Sequence, residues 1–316
     1  MKEDNEPLMV TIQCFTYNHE AYIRECLEGF VMQKTKFRFE AIVHDDASTD
    51  GTADIVREYE EKYPDIIKPI YETENQYSKQ DGSLQRIMDE HTHGKYIAIC
   101  EGDDYWTDPY KLQKQVDFLE AHPDYGMCHT DFYTTGRRRI TPVGNEPDDI
   151  YWPSILTKGL RVGTVTAVIR ADIYRNMPRL NKGKGWPIGD LPIWYEIARV
   201  SKIKYLPEIT ATYRIVAESA SHSQNLEKVL RYEEKKMELK RFYAKTYNVE
   251  VDERIWERES YEIIIRFAAR NRKTDVAEKY YAEAKEKNIV SRKMQIYYCA
   301  AKCSVIEWLL RKVHLL

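Results

Sequence analysis

Four short apolar runs alternate with four amphipathic helical stretches in the first 120 residues, which restricts the folds open to this chain. Residues 8–15, Leu-Met-Val-Thr-Ile-Gln-Cys-Phe, read as a first strand, with 38–44, Ile66 to Tyr71 and Tyr96 to Cys100 as the next three. Between them, Tyr22, Ile23, Cys26, Leu27 and Phe30 share one helical face, and Ile55, Val56, Tyr59 and Tyr63 another. Residues 83–92 form a short third helix. Asp108-Pro109 reads as an N-cap with proline at N1, opening a helix that carries Leu112, Val116, Phe118 and Leu119. Such alternation implies an α/β fold with a mostly parallel central sheet.

In open sheets of this kind, ligands bind off the carboxyl ends of the strands. Three polar clusters fall there, Thr16–Asn18, Asp45–Asp50 and Glu101–Asp104, so they are predicted to gather on one sheet edge. Glu101-Gly102-Asp103-Asp104 packs three carboxylates into four residues. Two readings are open. One is a divalent-cation and diphosphate site, since Mg²⁺ takes one or two carboxylates plus substrate phosphates. The other is an acidic surface turn, because Gly-Asp is common turn chemistry. The chain has no Gly-x-Gly-x-x-Gly after its first strand and no Gly-x-x-x-x-Gly-Lys-Ser/Thr, which disfavours a dinucleotide fold and a P-loop. Phosphate is therefore expected to be held through metal.

Beyond residue 125, Tyr125 to Tyr133, Val162 to Arg170 and Thr210 to Ile215 read as strands, and Leu191 to Ser201 as a helix opened by Asp190. Arg137-Arg138-Arg139 reads as phosphate-binding or as a solvated charge run. From about residue 225 the texture becomes helical, with three to four helices expected and Asp252 and Thr274 as N-caps. Over 292–316 the net charge of +4, with Ile296, Val305, Trp308, Leu309 and Leu315, suits either a basic amphipathic helix at a membrane surface or a helix packed on the main domain. Six cysteines without a Cys-x-x-Cys pair imply free thiols in a reducing compartment. Residues 1–7 are polar and no run has the length of a membrane span, so a cytoplasmic setting is expected, with peripheral attachment to the inner membrane face. A net charge of −3 makes no case for nucleic acid.

Taken in order, the clusters resemble the family 2 glycosyltransferases, whose GT-A fold is a single nucleotide-binding α/β domain. The matching stretches are Val10-Thr11-Ile12 through Tyr17-Asn18; Ile42-Val43-His44-Asp45-Asp46-Ala47-Ser48-Thr49-Asp50-Gly51-Thr52; Gly94 through Asp104 with Asp108-Pro109 and Lys111-Leu112; Ile188-Gly189-Asp190; and Tyr213-Arg214. The resemblance covers roughly residues 8–222 and implies a glycosyltransferase domain over 1–222, which leaves the helical texture to a separate region over 223–316. It implies that Thr16 and Tyr17 meet the nucleotide, Tyr17 by stacking on the base, and that Asp46 accepts the base N–H, which favours uracil or thymine. Asp103 is placed at the ribose and diphosphate, Asp104 on Mn²⁺ or Mg²⁺, with Glu101 sharing one of these contacts. Gly102 is expected to let the backbone approach the ligand. Asp190 matches the catalytic base of an inverting transfer. His222 falls where some relatives place a polar residue over diphosphate or metal, and Arg214 and Arg86 are candidates for diphosphate and nucleotide contact; the other reading for His222 and Arg214 is ordinary surface.

The implied reaction moves a sugar from a UDP- or dTDP-sugar to a hydroxyl of a glycan or lipid-linked acceptor in cell-surface polysaccharide synthesis. Two other functions are open. One is a non-catalytic nucleotide-sugar or glycan-binding protein on the same fold. The other is a sugar-nucleotide nucleotidyltransferase, against which the missing glycine-rich, basic N-terminal loop counts.

Overall fold

A computed structural model describes residues 6–135, 149–157, 162–180, 186, 189–216 and 225–312. The chain divides into two compact units. The first holds residues 1–155, 159–184 and 190–215, and the second 156–158, 185–189 and 216–316.

The first unit opens as β1 (Leu8–Thr16), α1 (Ile23–Val31), β2 (Arg38–Asp45), α2 (Thr52–Lys62), β3 (Ile67–Tyr71), α3 (Ser83–His91) and β4 (Tyr96–Ile99). It continues as β5 (Tyr105–Trp106), α4 (Lys111–Ala121), β6 (Tyr125–Thr134), β7 (Asp149–Ile150), the short α5 (Ser154–Thr157), whose last two residues are assigned to the second unit, β8 (Val168–Arg170), α6 (Ala171–Asn176), α7 (Leu191–Val200) and β9 (Lys202–Tyr213). The strands form one sheet in the order β3-β2-β1-β4-β8-β6-β9-β5, with β7 also on β9. From β3 to β4 every pairing is parallel. Strand β8 then runs antiparallel to both β4 and β6, so the sheet is mixed beyond it. Strand β1 has β2 on one side and β4 on the other, which makes the ends of these three strands the point where strand order reverses.

Period-two alternation explains β1. Val10, Ile12 and Cys14 face α1 and join Ile23, Leu27 and Phe30 in one buried core. Each such side chain contributes about 1.5–3 kcal/mol by leaving water. Helix α1 is set by the same core and by Gly29, where an added Cβ would stand 2.9 Å from the Trp106 backbone nitrogen. Glycine lets α1 lie directly on β5.

Several boundaries differ from the sequence expectations. Val162 to Arg170 is strand only at β8; Thr164–Thr166 is a 3₁₀ turn, tied by the Thr166 hydroxyl to the Gly163 carbonyl at 2.7 Å. Apolar β-branched residues supplied the strand pattern, but a local side-chain bond favoured the turn. Helix α4 begins at Lys111, not Pro109, and the Asp108 carboxylate accepts from the Tyr110 N–H at 2.8 Å. Strand β9 starts eight residues earlier than expected, its mixed composition masking a long ladder to β6.

The second unit contains five described helices rather than three or four: α8 (Leu226–Thr246), α9 (Arg254–Arg270), α10 (Thr274–Glu286), α11 (Arg292–Lys302) and α12 (Ser304–Lys312). Ile264, Ile265, Ala268, Ala277, Ala284 and Met294 form its core. Asn225 caps α8 through the N–H groups of Glu227 and Lys228, while Thr274 is the first residue of its helix and bonds the Ala301 carbonyl. Asp252 accepts from the Arg254 N–H at 3.1 Å, the bond expected of a cap, although Glu253 is the residue directly before the helix.

On β6, His129 is buried beside the Tyr205 ring, and neither ring nitrogen has a hydrogen-bond partner among the described residues. Burial lowers its pKa to about 4. The unfolded chain binds this proton near pH 6.5. The stability held by the neutral ring is therefore complete above about 6.5 and is lost as pH falls toward 4. His129→Leu should flatten stability against pH across that window in urea unfolding; an unchanged acid slope would show that other groups carry it.

Candidate active site

The site is built on the carboxyl ends of β1, β2 and β4, where backbone ladders continue past the strands. Asp46 N donates to the Thr16 carbonyl at 2.9 Å, Cys100 N to Gln13 at 3.1 Å and Gly102 N to Phe15 at 2.8 Å. Both acidic stretches are thus stitched to the end of β1. At Gly102 an added Cβ would lie 2.7 Å from the Thr16 hydroxyl and 2.9 Å from His19 Nδ1. The absent Cβ leaves room for Thr16 and His19.

The Asp-Ala-Ser-Thr-Asp-Gly-Thr string binds one loop to another. Asn18 Oδ1 accepts from Thr49 N at 2.8 Å, and Asn18 N donates to Ser48 Oγ at 2.9 Å. Glu20 N donates to Asp50 Oδ2, and Gly51 N returns a bond to Glu20 Oε2, both at 3.1 Å. His19 N donates to Thr52 Oγ1 at 2.8 Å. Asn18 and Ala47 sit in the left-handed region, at φ 54° and 61°, which folds the two loops tightly. Tyr17 stands on this platform with 45% of its surface exposed, in a chain whose other tyrosines are often buried.

Asp104 is 1% exposed. Its Oδ1 accepts from Arg214 N at 2.7 Å, while Oδ2 is buried without a hydrogen-bond partner among the described residues. Burial, with Glu101 and Asp103 nearby, pushes its pKa up to about 9. Burial and the charges of Asp103 and Asp190 raise Glu101 to about 7. Clustered buried carboxylates disfavour one another's ionisation. A cation relieves this, and an orphaned carboxylate oxygen is a suitable ligand for a hard one. Among the described residues no three His, Cys, Asp or Glu side chains are arranged to hold an ion alone. The residues therefore fit a divalent cation that takes one or two protein oxygens and completes its shell from a diphosphate.

Asp190 immediately precedes α7, yet its side chain makes no capping bond to that helix. The Thr164 hydroxyl, from the 3₁₀ turn, faces Asp190 Oδ2 at 3.4 Å. Burial raises the Asp190 pKa. Its charge acts on Glu101, so the late aspartate and the early acidic stretch share one electrostatic environment.

The sequence profile of Glycosyl transferase family 2 matches residues 12–176, just over half of the chain. The chain belongs to glycosyl transferase family 2. An uncharacterised protein of Mycobacterium tuberculosis is 36% identical over 222 residues, 68% of this chain and 61% of that one, so the chain spans less than two thirds of that relative's length. The Escherichia coli protein WfaP, named as a UDP-Glc:α-D-GlcNAc-diphosphoundecaprenol β-1,3-glucosyltransferase, is 26% identical over 216 residues, 67% of this chain and 80% of WfaP. Among solved structures, the mannosyltransferase PcManGT of Pyrobaculum calidifontis, in complex with GDP-Man and Mn²⁺, superposes with a TM-score of 0.57 at 18% identity, covering 94% of this chain and 87% of that chain. At that identity the likeness is one of fold.

Within this family 2 site, some sequence-selected residues turn inward. Thr16 is buried, its hydroxyl 3.2 Å from His19 Nδ1 and packed against Gly102. The Asp46 carboxylate accepts from Gln76 N at 2.6 Å and Tyr77 N at 3.0 Å, which makes it the anchor of the 72–80 loop. Arg214 donates to the Asp103 carbonyl and pairs with Glu25, and its guanidinium lies over the rings of Tyr22 and Tyr105. Its contacts are protein contacts at the foot of the acidic loop. Arg86 is exposed and bound to Asp81. His222 and Arg137–Arg139 lie outside the described residues.

Sequence reasoning missed Glu25, Tyr22, Tyr105 and Thr164, each of which looks like ordinary helix, strand or turn until the chain folds. Asp46→Ala should cost about 1–3 kcal/mol, the range for leaving buried donors unpaired. Urea unfolding would read the loss, and hydrogen exchange should accelerate at the Gln76 and Tyr77 amides. Unaltered exchange there would remove the anchoring role.

Proposed function

We propose that this chain is an inverting glycosyltransferase that moves a sugar from a UDP- or dTDP-sugar to an acceptor hydroxyl. The observation that carries the reading is the buried Asp104 Oδ2, which has no hydrogen-bond partner among the described residues, within an acidic edge that also includes Asp190. Tyr17 offers the exposed ring for the base, and Asp103 borders the ribose and diphosphate. Asp46 remains the residue for the base N–H, since each carboxylate oxygen keeps a second lone pair beside its backbone bond. Asp104, with Glu101 and His222 as further candidate ligands, would hold Mn²⁺ or Mg²⁺, which neutralises the departing diphosphate. Arg214 keeps Asp103 and Asp104 in place through its backbone N–H on the Asp104 carboxylate and its guanidinium on the Asp103 carbonyl. Arg86 is retained as a nucleotide contact on the rim.

Asp190 takes the proton of the acceptor hydroxyl as its oxygen attacks the anomeric carbon. Its raised pKa makes it a stronger base once ionised, and the rate should rise with pH through that pKa. One base facing the anomeric carbon opposite the leaving group gives inversion, with no covalent intermediate on the protein.

The acceptor in this reading is a growing cell-surface polysaccharide or a lipid-linked glycan, in keeping with the lipid-diphosphate acceptor in WfaP's name. The reaction then takes place on the cytoplasmic face of the membrane. No helix among the described residues is long and apolar enough to cross it. Helix α12 suits surface attachment: Val305, Trp308 and Leu309 are exposed at i, i+3 and i+4, with Arg311 and Lys312 following.

Incubation with Mn²⁺ and single UDP- or dTDP-sugars should release nucleoside diphosphate with at least one donor. Asp190→Asn should lower turnover by roughly 10²–10⁴-fold, the usual contribution of a general base, while UDP still binds. Asp104→Asn should abolish Mn²⁺-dependent UDP binding measured by calorimetry. Donor and UDP binding with no release in the wild type would favour a non-catalytic binding protein instead. For α12, Trp308→Glu should reduce co-flotation with vesicles containing phosphatidylglycerol; equal flotation would remove that contact.

A further inference from the structure

Three buried side-chain donors converge on two successive carbonyls of the turn that faces Asp190. Trp106 Nε1 donates to the Val165 carbonyl at 2.8 Å, and Gln115 Nε2 and Lys111 Nζ donate to the Thr166 carbonyl at 2.9 and 3.2 Å. Lys111 and Gln115 are fully buried and Trp106 is 2% exposed. The turn is closed internally as well, by Thr166 N to the Gly163 carbonyl at 2.8 Å and Ala167 N to the Thr164 carbonyl at 3.1 Å. Its remaining polar side chain, the Thr164 hydroxyl, points at Asp190 Oδ2.

The placement of Lys111 is unusual as a stabilising device. Its ammonium bonds Gln115 and the Thr166 carbonyl and lies 4.6 Å from the centre of the Trp106 ring. No carboxylate hydrogen-bonds it among the described residues. Desolvating a lone ammonium is costly, and replacing buried charge with apolar volume is often neutral or stabilising. The donors also follow directly from the acidic loop: Trp106 is two residues after Asp104, and Lys111 and Gln115 occupy the first two turns of α4. One stretch, 101–115, therefore carries both the acidic cluster and the clamp on the opposite turn.

We propose that Trp106, Lys111 and Gln115 are positioning residues that hold the Thr164–Thr166 turn so that the Thr164 hydroxyl orients the Asp190 carboxylate toward the acidic loop. The inference rests on Asp190 acting as the base. It assigns a function to a clamp that touches no ligand: metal loop and base keep their spacing because the same segment fixes both.

The test compares wild type, Thr164→Val, Thr164→Ser, Lys111→Met, the double variant that combines Thr164→Val with Lys111→Met, and Asp190→Asn. Each is assayed with Mn²⁺ across a panel of UDP- and dTDP-sugars for release of the nucleoside diphosphate, with UDP affinity by calorimetry and Tm alongside. Thr164→Val should lower kcat by about tenfold, at the low end of what a well-placed base contributes, with KM and UDP affinity within about twofold. Thr164→Ser, which keeps the hydroxyl, should recover most of kcat. Lys111→Met should lose kcat similarly at unchanged or higher Tm, and the double variant should be no worse than either single one, as expected for residues acting as a unit.

Wild-type kcat in Thr164→Val overturns the inference even if Lys111→Met fails to fold. So does a Lys111→Met variant that loses UDP affinity and Tm together while keeping kcat. Asp190→Asn separates the two levels. If it keeps wild-type turnover, or the wild type turns over no donor, the base assignment falls and this inference with it. If it is inactive while Thr164→Val is normal, only the positioning role is lost.

Discussion

The ligand edge depends on the cost of crowding partly exposed carboxylates around one that is buried. Asp104 is buried with one oxygen unpaired among the described residues, Glu101 and Asp103 adjoin it, and Asp190 is close enough to raise Glu101 further. Among the described residues no ion pair neutralises the Asp104 carboxylate. Arg214 supplies its backbone N–H to Asp104 and directs its guanidinium to the Asp103 carbonyl and Glu25. That arrangement supports the acidic loop without cancelling its charge, which leaves the cluster receptive to a cation.

Precision in the surroundings comes from polar stitching rather than from apolar packing. The Asn18–Glu20 and Ser48–Thr52 loops exchange side-chain and backbone bonds, and Asp46 draws the 72–80 loop onto β2 by two N–H groups. Loops carry function when a rigid scaffold positions them. Here the ends of β1, β2 and β4 are the scaffold, and the most recognisable string in the sequence serves chiefly to lock the loops that rise from them.

Legibility tracked locality. The four strand–helix units were readable because period-two and period-3.6 patterns are local properties of the chain, and the three polar clusters could be placed at strand ends for the same reason. The hydrophobic pattern of Val162–Arg170 suggests one strand, but Thr166 bonds back to Gly163, a competition invisible to that pattern. The early end of β9 was missed because its ladder partners lie about 80 residues away on β6. Among candidate residues, Thr16 has the right position in sequence, yet its hydroxyl faces His19, and Gly102 is required by that contact.

The sequence by itself determined the alternating α/β order, the family to which its motifs belong, and the acidic chemistry at the strand ends. These are written in consecutive residues. Only the tertiary structure decided which carboxylate oxygen is left unpaired, that Arg214 braces the acidic loop, and that Thr164 meets Asp190. Those facts join residues 26 to 189 positions apart and depend on burial, which is a property of packing and not of any single segment.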